Sequence, residues 1–154
     1  MDVERVELAP ARLIGVHEVV AVSELTEFFG RAFQAAATGM ARHGIAPAGP
    51  AVALYTGAVT EKVDVTAGFL APDPERHHGQ DGGLVEVRLP EGPAVVTMHT
   101  GPYDAMAGTY AQLEQWMQAH GVTPRDVMWE EYLDGPDSEP DPARWHTRIV
   151  YPVA

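Results

Sequence analysis

The chain has 154 residues, enough for one domain, and its 45% apolar content is that of a globular protein. Its 22 acidic and 10 basic residues give a formal charge of −12 with Lys62 as the single lysine, so no basic patch for nucleic-acid phosphates is expected. Cysteine is absent, which excludes disulfides and thiolate chemistry; no apolar run approaches the roughly 18 residues of a membrane span, and the start Met1-Asp2-Val3-Glu4-Arg5 is not that of a signal peptide, so a cytoplasmic protein off the membrane is expected.

Val3 to Leu8 and Arg12 to Val20 read as a first pair of strands joined through Pro10. Ser23 is placed to cap a helix, with Glu24 and Glu27 in the first turn, where carboxylates favour the dipole. Leu25, Phe28, Phe29, Ala32, Phe33, Ala36 and Met40 follow at helical spacing as one apolar stripe. Gly44 stops that helix and Pro47 prevents its resumption. Ala51 to Thr56 and Val63 to Leu70 are two more strands, and Pro72 to Gly83 reads as a linker. In Leu84 to Leu89, apolar Val85, Val87 and Leu89 alternate with Glu86 and Arg88, as in a half-buried strand. Ala94 to Thr100 is the next strand. A helix from about Asp104 to His120 carries the stripe Met106, Tyr110, Leu113 and Met117. Val127 to Leu133 and Trp145 to Val153 are the last strands, separated by a loop rich in Pro and Asp.

The second half of the chain repeats the first. One offset of 77 residues separates Gly44 from Gly121, Pro47 from Pro124, Tyr55 from Tyr132 and Phe33 from Tyr110. The expected fold is therefore α+β: a tandem pseudo-two-fold repeat of two β-β-α-β-β units, mainly antiparallel sheet with two helices on one side and a central ligand cleft. Residues 1–154 form a single domain, with a first repeat over about 1–71, a linker over about 72–83 and a second repeat over about 84–154.

Departures from the repeat mark where function can have been added, and the sharpest is Ala53 against Glu130. In Met128-Trp129-Glu130-Glu131-Tyr132-Leu133, strand alternation puts Met128, Glu130 and Tyr132 on one face. The expected cleft thus holds Tyr55 and Tyr132, one from each half, a single carboxylate, and space opposite it. A carboxylate beside ring faces suits a delocalised organic cation, since rings add about 0.5–2 kcal/mol of cation–π attraction per contact. Tyr110, Phe33, Trp145 and His99 are further candidates for the cleft wall, each of which has an ordinary packing role as its alternative. His43 and His120 fall at matched helix C-termini, where a protonatable ring suits the dipole. His77-His78 has no partner at metal-ligand spacing, and no metal or cofactor is expected. No nucleophilic triad, phosphate loop or dinucleotide pattern is present. Asp126 to Asp141 holds seven carboxylates and no Lys or Arg, which reads as a solvated acidic stretch.

Val95 to Tyr103, the helix bearing Tyr110, Leu113 and Trp116, the run Trp129 to Leu133, and Thr147 to Pro152 together resemble the GyrI-like small-molecule-binding domain, also called the AraC-type effector-binding domain. Asp64 to Phe69 is similar to its Asp-x-x-x-Gly stretch, and the family's Glu-x-Tyr pattern falls on Glu130 and Tyr132, which makes Glu130 rather than Glu131 the pocket acid. The resemblance covers essentially the whole chain. It implies a cleft for bulky, aromatic, often cationic compounds. Many relatives carry a helix-turn-helix region; this chain begins at its first strand and reads as a stand-alone member. Three functions follow as expectations. The first is a binding protein for aromatic, cationic or amphipathic small molecules. The second, implied by stand-alone relatives, is a hydrolase of strained cyclopropane-containing DNA-alkylating toxins, with Glu130 as general base and Tyr132 or Tyr55 as donor. The third is an acidic module binding a protein partner of unknown identity, as gyrase-inhibitor relatives imply.

Overall fold

The computed structural model describes residues 1–58, 60–71, 83–135 and 138–154. Nearly all of the expected linker, including His77 and His78, lies outside the described residues. Eight strands and two helices follow in the order β1 (Val3–Leu8), β2 (Arg12–Ala21), α1 (Leu25–Arg42), β3 (Ala51–Thr56), β4 (Lys62–Ala71), β5 (Val85–Arg88), β6 (Gly92–Thr100), α2 (Met106–Ala119), β7 (Val127–Tyr132) and β8 (His146–Pro152). The fold is α+β: one antiparallel sheet of eight strands with both helices on the same face.

The sheet order is β1-β6-β8-β7-β3-β4-β2-β5. From the central β7–β3 pair outward, each side runs through the third, fourth and second strand of its half and ends on the first strand of the other half. The expected pairing of β1 with β2 through Pro10 is therefore corrected: β1 pairs with β6, and β5 pairs with β2. Alternation of apolar residues specifies that a segment is a strand and which face is buried, but not its partner. At the centre of the sheet Ala53 stands directly opposite Glu130, with Leu54 opposite Trp129 and Val52 opposite Glu131.

Each helix packs as its stripe dictates. Phe28, Ala32, Ala36 and Met40, four residues apart, are buried from α1 against Val63, Val65 and Ala67 of β4 and Ile14 of β2. Leu113 and Met117 of α2 are buried against Val95 of β6 and Ile149 of β8. Gly44 and Gly121 take positive φ one residue beyond the helix caps His43 and His120, as the matched stop signals require. Both helices start later than the sequence indicated. A 3-10 turn over Val22–Glu24 precedes α1, whose N-cap is Glu24 with no side-chain cap, so Ser23 is not the cap. The Val22 amide is tied instead to the Glu61 carbonyl at 3.0 Å, which fixes the turn from outside the helix. A matching 3-10 turn, Tyr103–Ala105, precedes α2.

The helix-free face carries its own apolar layer, with Leu13, Val52, Leu54, Val96, Trp129 and Val150 buried together. Val6 and Leu8 of edge strand β1 and Val87 of edge strand β5 pack against it. Between β2 and β4, Gly15 faces Gly68. A Cβ at Gly68 would collide with the Ile14 carbonyl, and one at Gly15 with the Ala67 carbonyl, so the two backbones approach as only paired glycines allow.

Candidate functional site

Glu130 is the buried acid of the structure's centre, 8% exposed on the helix-facing side of β7. Its neighbour Glu131 faces the other way. There it accepts from the Trp129 indole N–H at 2.9 Å and pairs with Arg148 at 3.5 Å. Strand alternation alone produces this division, so of the two adjacent glutamates only Glu130 faces the helices.

Tyrosine hydroxyls hold both carboxylate oxygens. Tyr110 of α2 donates to Oε2, and Tyr132, two residues along β7, donates to Oε1 at 2.5 Å. The Tyr55 hydroxyl, from β3, joins the same network with Glu130 and Tyr132. Burial pushes the Glu130 carboxyl above its ordinary range. Hydrogen bonds from Tyr110, Tyr132 and Tyr55, and the nearby His99 ring, pull the other way without cancelling the loss of hydration. Burial, reinforced by the adjacent carboxylate, pushes all three phenols far above their usual range, so they remain protonated donors.

An open cleft of about 530 Å³ reaches Glu130 from one end of the inter-helix groove. Its walls are Tyr55 of β3, Tyr110 of α2 and Tyr151 of β8, with Val22, Leu25 and Met128 as apolar lining. Glu114 and Asp126 also line it. The cleft extends along β7 from Glu130 toward Asp126. Ala53, the small residue opposite Glu130, does not provide the room; it is fully buried against Phe28 and Val65.

In the other direction along β7 lies a row of rings. Phe29 and Phe33 of α1 stack at 5.6 Å between centroids, and both meet Tyr132 edge-on at 6.3 and 6.1 Å. Tyr103 contacts Tyr132 at 5.8 Å and Trp145 at 4.9 Å. Glu130 thus stands between an open cleft and an aromatic row, both running under the two helices.

The sequence candidates therefore divide. Glu130, Tyr55 and Tyr110 line the cleft, and Tyr132 touches Glu130 from the aromatic row. Phe33 and Trp145 belong to that row; Trp145 also donates its indole N–H to the Glu139 carbonyl at 2.8 Å. His99 is buried and has both ring nitrogens engaged, Nδ1 with the Thr109 hydroxyl at 2.6 Å and Nε2 donating to the Pro102 carbonyl at 3.0 Å. It links β6 to the start of α2, outside the cleft. Tyr151 and Glu114 also line the cleft, as does Met128, the neighbour of Glu130 on its strand face. Met128 and Glu130 share strand parity, and Glu114 lies one helical turn beyond Tyr110, so both were legible once Glu130 and Tyr110 were chosen. Tyr151 needed the register that places β8 beside β7.

Among the described residues no group of three His, Asp or Glu side chains is arranged to hold a metal. None of their helices is long and apolar enough to cross a membrane.

The fold is an eight-stranded antiparallel sheet with exchanged edge strands, two helices on one face and a buried acid contacted by tyrosines. The sequence profile of the GyrI-like small molecule binding domain matches residues 1–154, and the chain belongs to this family. No curated protein matches the chain in sequence. Among solved structures, the C-terminal domain of EcmrR aligns over 99% of this chain and 97% of its own, with a TM-score of 0.80 and 23% identity. SAV2435 bound to tetraphenylphosphonium aligns over 100% and 94%, with a TM-score of 0.70 and 15% identity. A hydrolase from Listeria innocua aligns over 99% and 91%, with a TM-score of 0.69 and 17% identity. At these identities the shared property is the fold.

Proposed function

We propose that the protein binds bulky aromatic cations, drug- or toxin-like in build, in the cleft that ends on Glu130. The observation that carries this reading is the position of that carboxylate: buried, on the wall of a cleft of about 530 Å³ that Tyr55, Tyr110 and Tyr151 also line. A buried carboxylate is costly without a partner, and its three tyrosine donors leave it still short of its hydration in water. An incoming cation supplies the missing countercharge, and the rings offer faces that tolerate many shapes. SAV2435, of like fold, holds a lipophilic aromatic cation, which supports the same ligand class here.

The test is fluorescence or calorimetric titration with tetraphenylphosphonium. Glu130→Gln keeps the side chain's shape and removes its charge. The expected loss is at least about tenfold in affinity, ~1.4 kcal/mol. A neutral triphenylphosphine oxide should bind both proteins equally. Equal affinity of both proteins for the cation contradicts the role of Glu130.

A second reading has its own support. A carboxyl raised by burial, with phenol donors on either side, is the equipment of general acid–base chemistry. In that reading Glu130 accepts a proton from water as the water oxygen bonds to a cyclopropane carbon, a strained ring C–C bond breaks, and its electron pair passes into the conjugated carbonyl, where a tyrosine hydroxyl stabilises the negative charge. A solved neighbour is described as a hydrolase. Incubation with an activated spirocyclopropane, followed by mass analysis of the product, separates the two readings: many turnovers per protein establish hydrolysis, and one equivalent consumed or none leaves binding.

A further inference from the structure

The run His99-Thr100-Gly101-Pro102-Tyr103 carries the chain from β6 into the turn before α2. His99 is 4% exposed, so its ring needs partners for both nitrogens. Nε2 lies 3.0 Å from the Pro102 carbonyl, which can only accept, so Nε2 carries a proton. In the neutral ring Nδ1 is then the acceptor, and the Thr109 hydroxyl donates to it at 2.6 Å. Gly101, at a φ of 130°, donates its amide to the Trp145 carbonyl at 2.8 Å, which holds the turn in place. Thr109 precedes Tyr110, whose hydroxyl donates to Glu130. Apolar anchors are sparse just there: α2 buries Met106, Leu113 and Met117, and no residue between Met106 and Leu113. At the 77-residue offset α1 has Phe33 for Tyr110 and the buried methyl of Ala32 for Thr109. The helix that supplies the tyrosine is thus the one with the polar clasp.

We infer that His99 is a positioning residue for the site: through Thr109 it holds α2 where the Tyr110 hydroxyl meets the Glu130 carboxylate. The inference rests on the reading of Glu130 as the working acid of the cleft, and adds what sets its donor in place. A hydroxyl-to-carboxylate bond depends steeply on distance and angle, so a displaced helix turn weakens it. A weakened donor leaves the buried acid with less to offset its lost hydration. The titrating groups that face Glu130 are Tyr110 from α2, Tyr132 from β7, Tyr55 from β3 and, nearby, His99 from β6. Glu114, Arg125, Asp126 and Tyr151 share its cleft. Only the Tyr110 contact depends on the clasp, so its loss is read as a change in the proton affinity of Glu130.

Replacing a buried ring disturbs packing as well as hydrogen bonding, so the link is cut at Thr109. Thr109→Val removes the hydroxyl, keeps the shape and helix propensity, and leaves the His99 ring in place. Carbon-13 NMR of the ligand-free protein follows the Glu130 side-chain carboxyl through its titration. Thr109→Val should tighten proton binding at Glu130 roughly three- to tenfold, moving the midpoint to higher pH as Tyr110→Phe does. Thr109→Ser keeps the hydroxyl and should stay within about twofold of wild type. On the Tyr110→Phe background, Thr109→Val should add less than about twofold, because no donor is left to position. A midpoint unchanged by Thr109→Val overturns the inference, even where urea unfolding shows lower stability, since the bond then serves the fold alone. A full shift that persists on the Tyr110→Phe background also overturns it, by showing a route to Glu130 that bypasses Tyr110. The readout needs no ligand, so a cation that binds Glu130→Gln as well as wild type would defeat the proposed ligand without touching this result.

Discussion

Glu130 carries its proton more tightly in the fold than in the unfolded chain, because burial disfavours the charged form. The native state thus binds more protons than the unfolded state between the ordinary glutamate range and the raised value. The contribution of Glu130 to stability is fully present below that range and is lost as pH rises through it. In Glu130→Gln this slope should flatten, and urea unfolding followed from about pH 4 to about pH 8 reads the difference. A steeper slope in the variant would show that other groups set the pH dependence. Tyr110→Phe removes a donor to Oε2 and leaves burial unchanged, so it should raise the carboxyl further and move cation binding to higher pH. A binding midpoint that stays put in Tyr110→Phe would mean that this hydroxyl does not stabilise the carboxylate. Glu130 was legible in the sequence because it breaks the repeat, where Ala53 holds the equivalent position. Its third partner was less so: the offset pairs Tyr55 with Tyr132, but Tyr110 corresponds to Phe33, and nothing in the residue types says that a helix tyrosine would reach the carboxylate.

Among the elements, α1 was the most legible, because Phe28, Ala32, Ala36 and Met40 lie four apart and all four are buried. Phe28 is fully buried beneath the helix, so Phe28→Ala should cost about 3–5 kcal/mol in chemical denaturation. A cost below about 1 kcal/mol would mean that the helix closes over the gap. The paired glycines of β2 and β4 give a sharper test. Gly68→Ala places a methyl group against the Ile14 carbonyl, and that backbone has no rotamer with which to yield. Gly108→Ala, on exposed α2 with nothing near its Cβ, is the control and should be neutral or slightly stabilising. Equal stability of Gly68→Ala and wild type would show that the strands separate easily at that point. The glycine of the Asp-x-x-x-Gly stretch thus has a steric cause. Strand existence was readable throughout, with ends shifted by one or two residues. Partnership was not: β1 and β5 each look like the first arm of a hairpin and pair elsewhere, because a two-residue period describes faces and carries no information about neighbours.

At the scale of the molecule, edge-strand exchange joins the two halves: β5 of the second half closes β2 of the first, and β1 closes β6. The central β3–β7 pair then sets Ala53 opposite Glu130, and the helices frame the groove on either side of that pair. A fold built from near-equivalent halves could hold two identical residues at this point; the chain holds one acid and one methyl, which makes the groove's charge one-sided. The account stands or falls on whether a bound cation takes over the charge of this acid. Calorimetric titration of tetraphenylphosphonium in pairs of buffers with different ionisation enthalpies, repeated over a series of pH values from acid to alkaline, counts the protons exchanged on binding. Because the cation lowers the raised carboxyl, binding to wild type should release a fraction of a proton that passes through a maximum as pH is raised, and Glu130→Gln should release none. Proton release that is absent from wild type, or that persists undiminished in Glu130→Gln, would contradict the central claim.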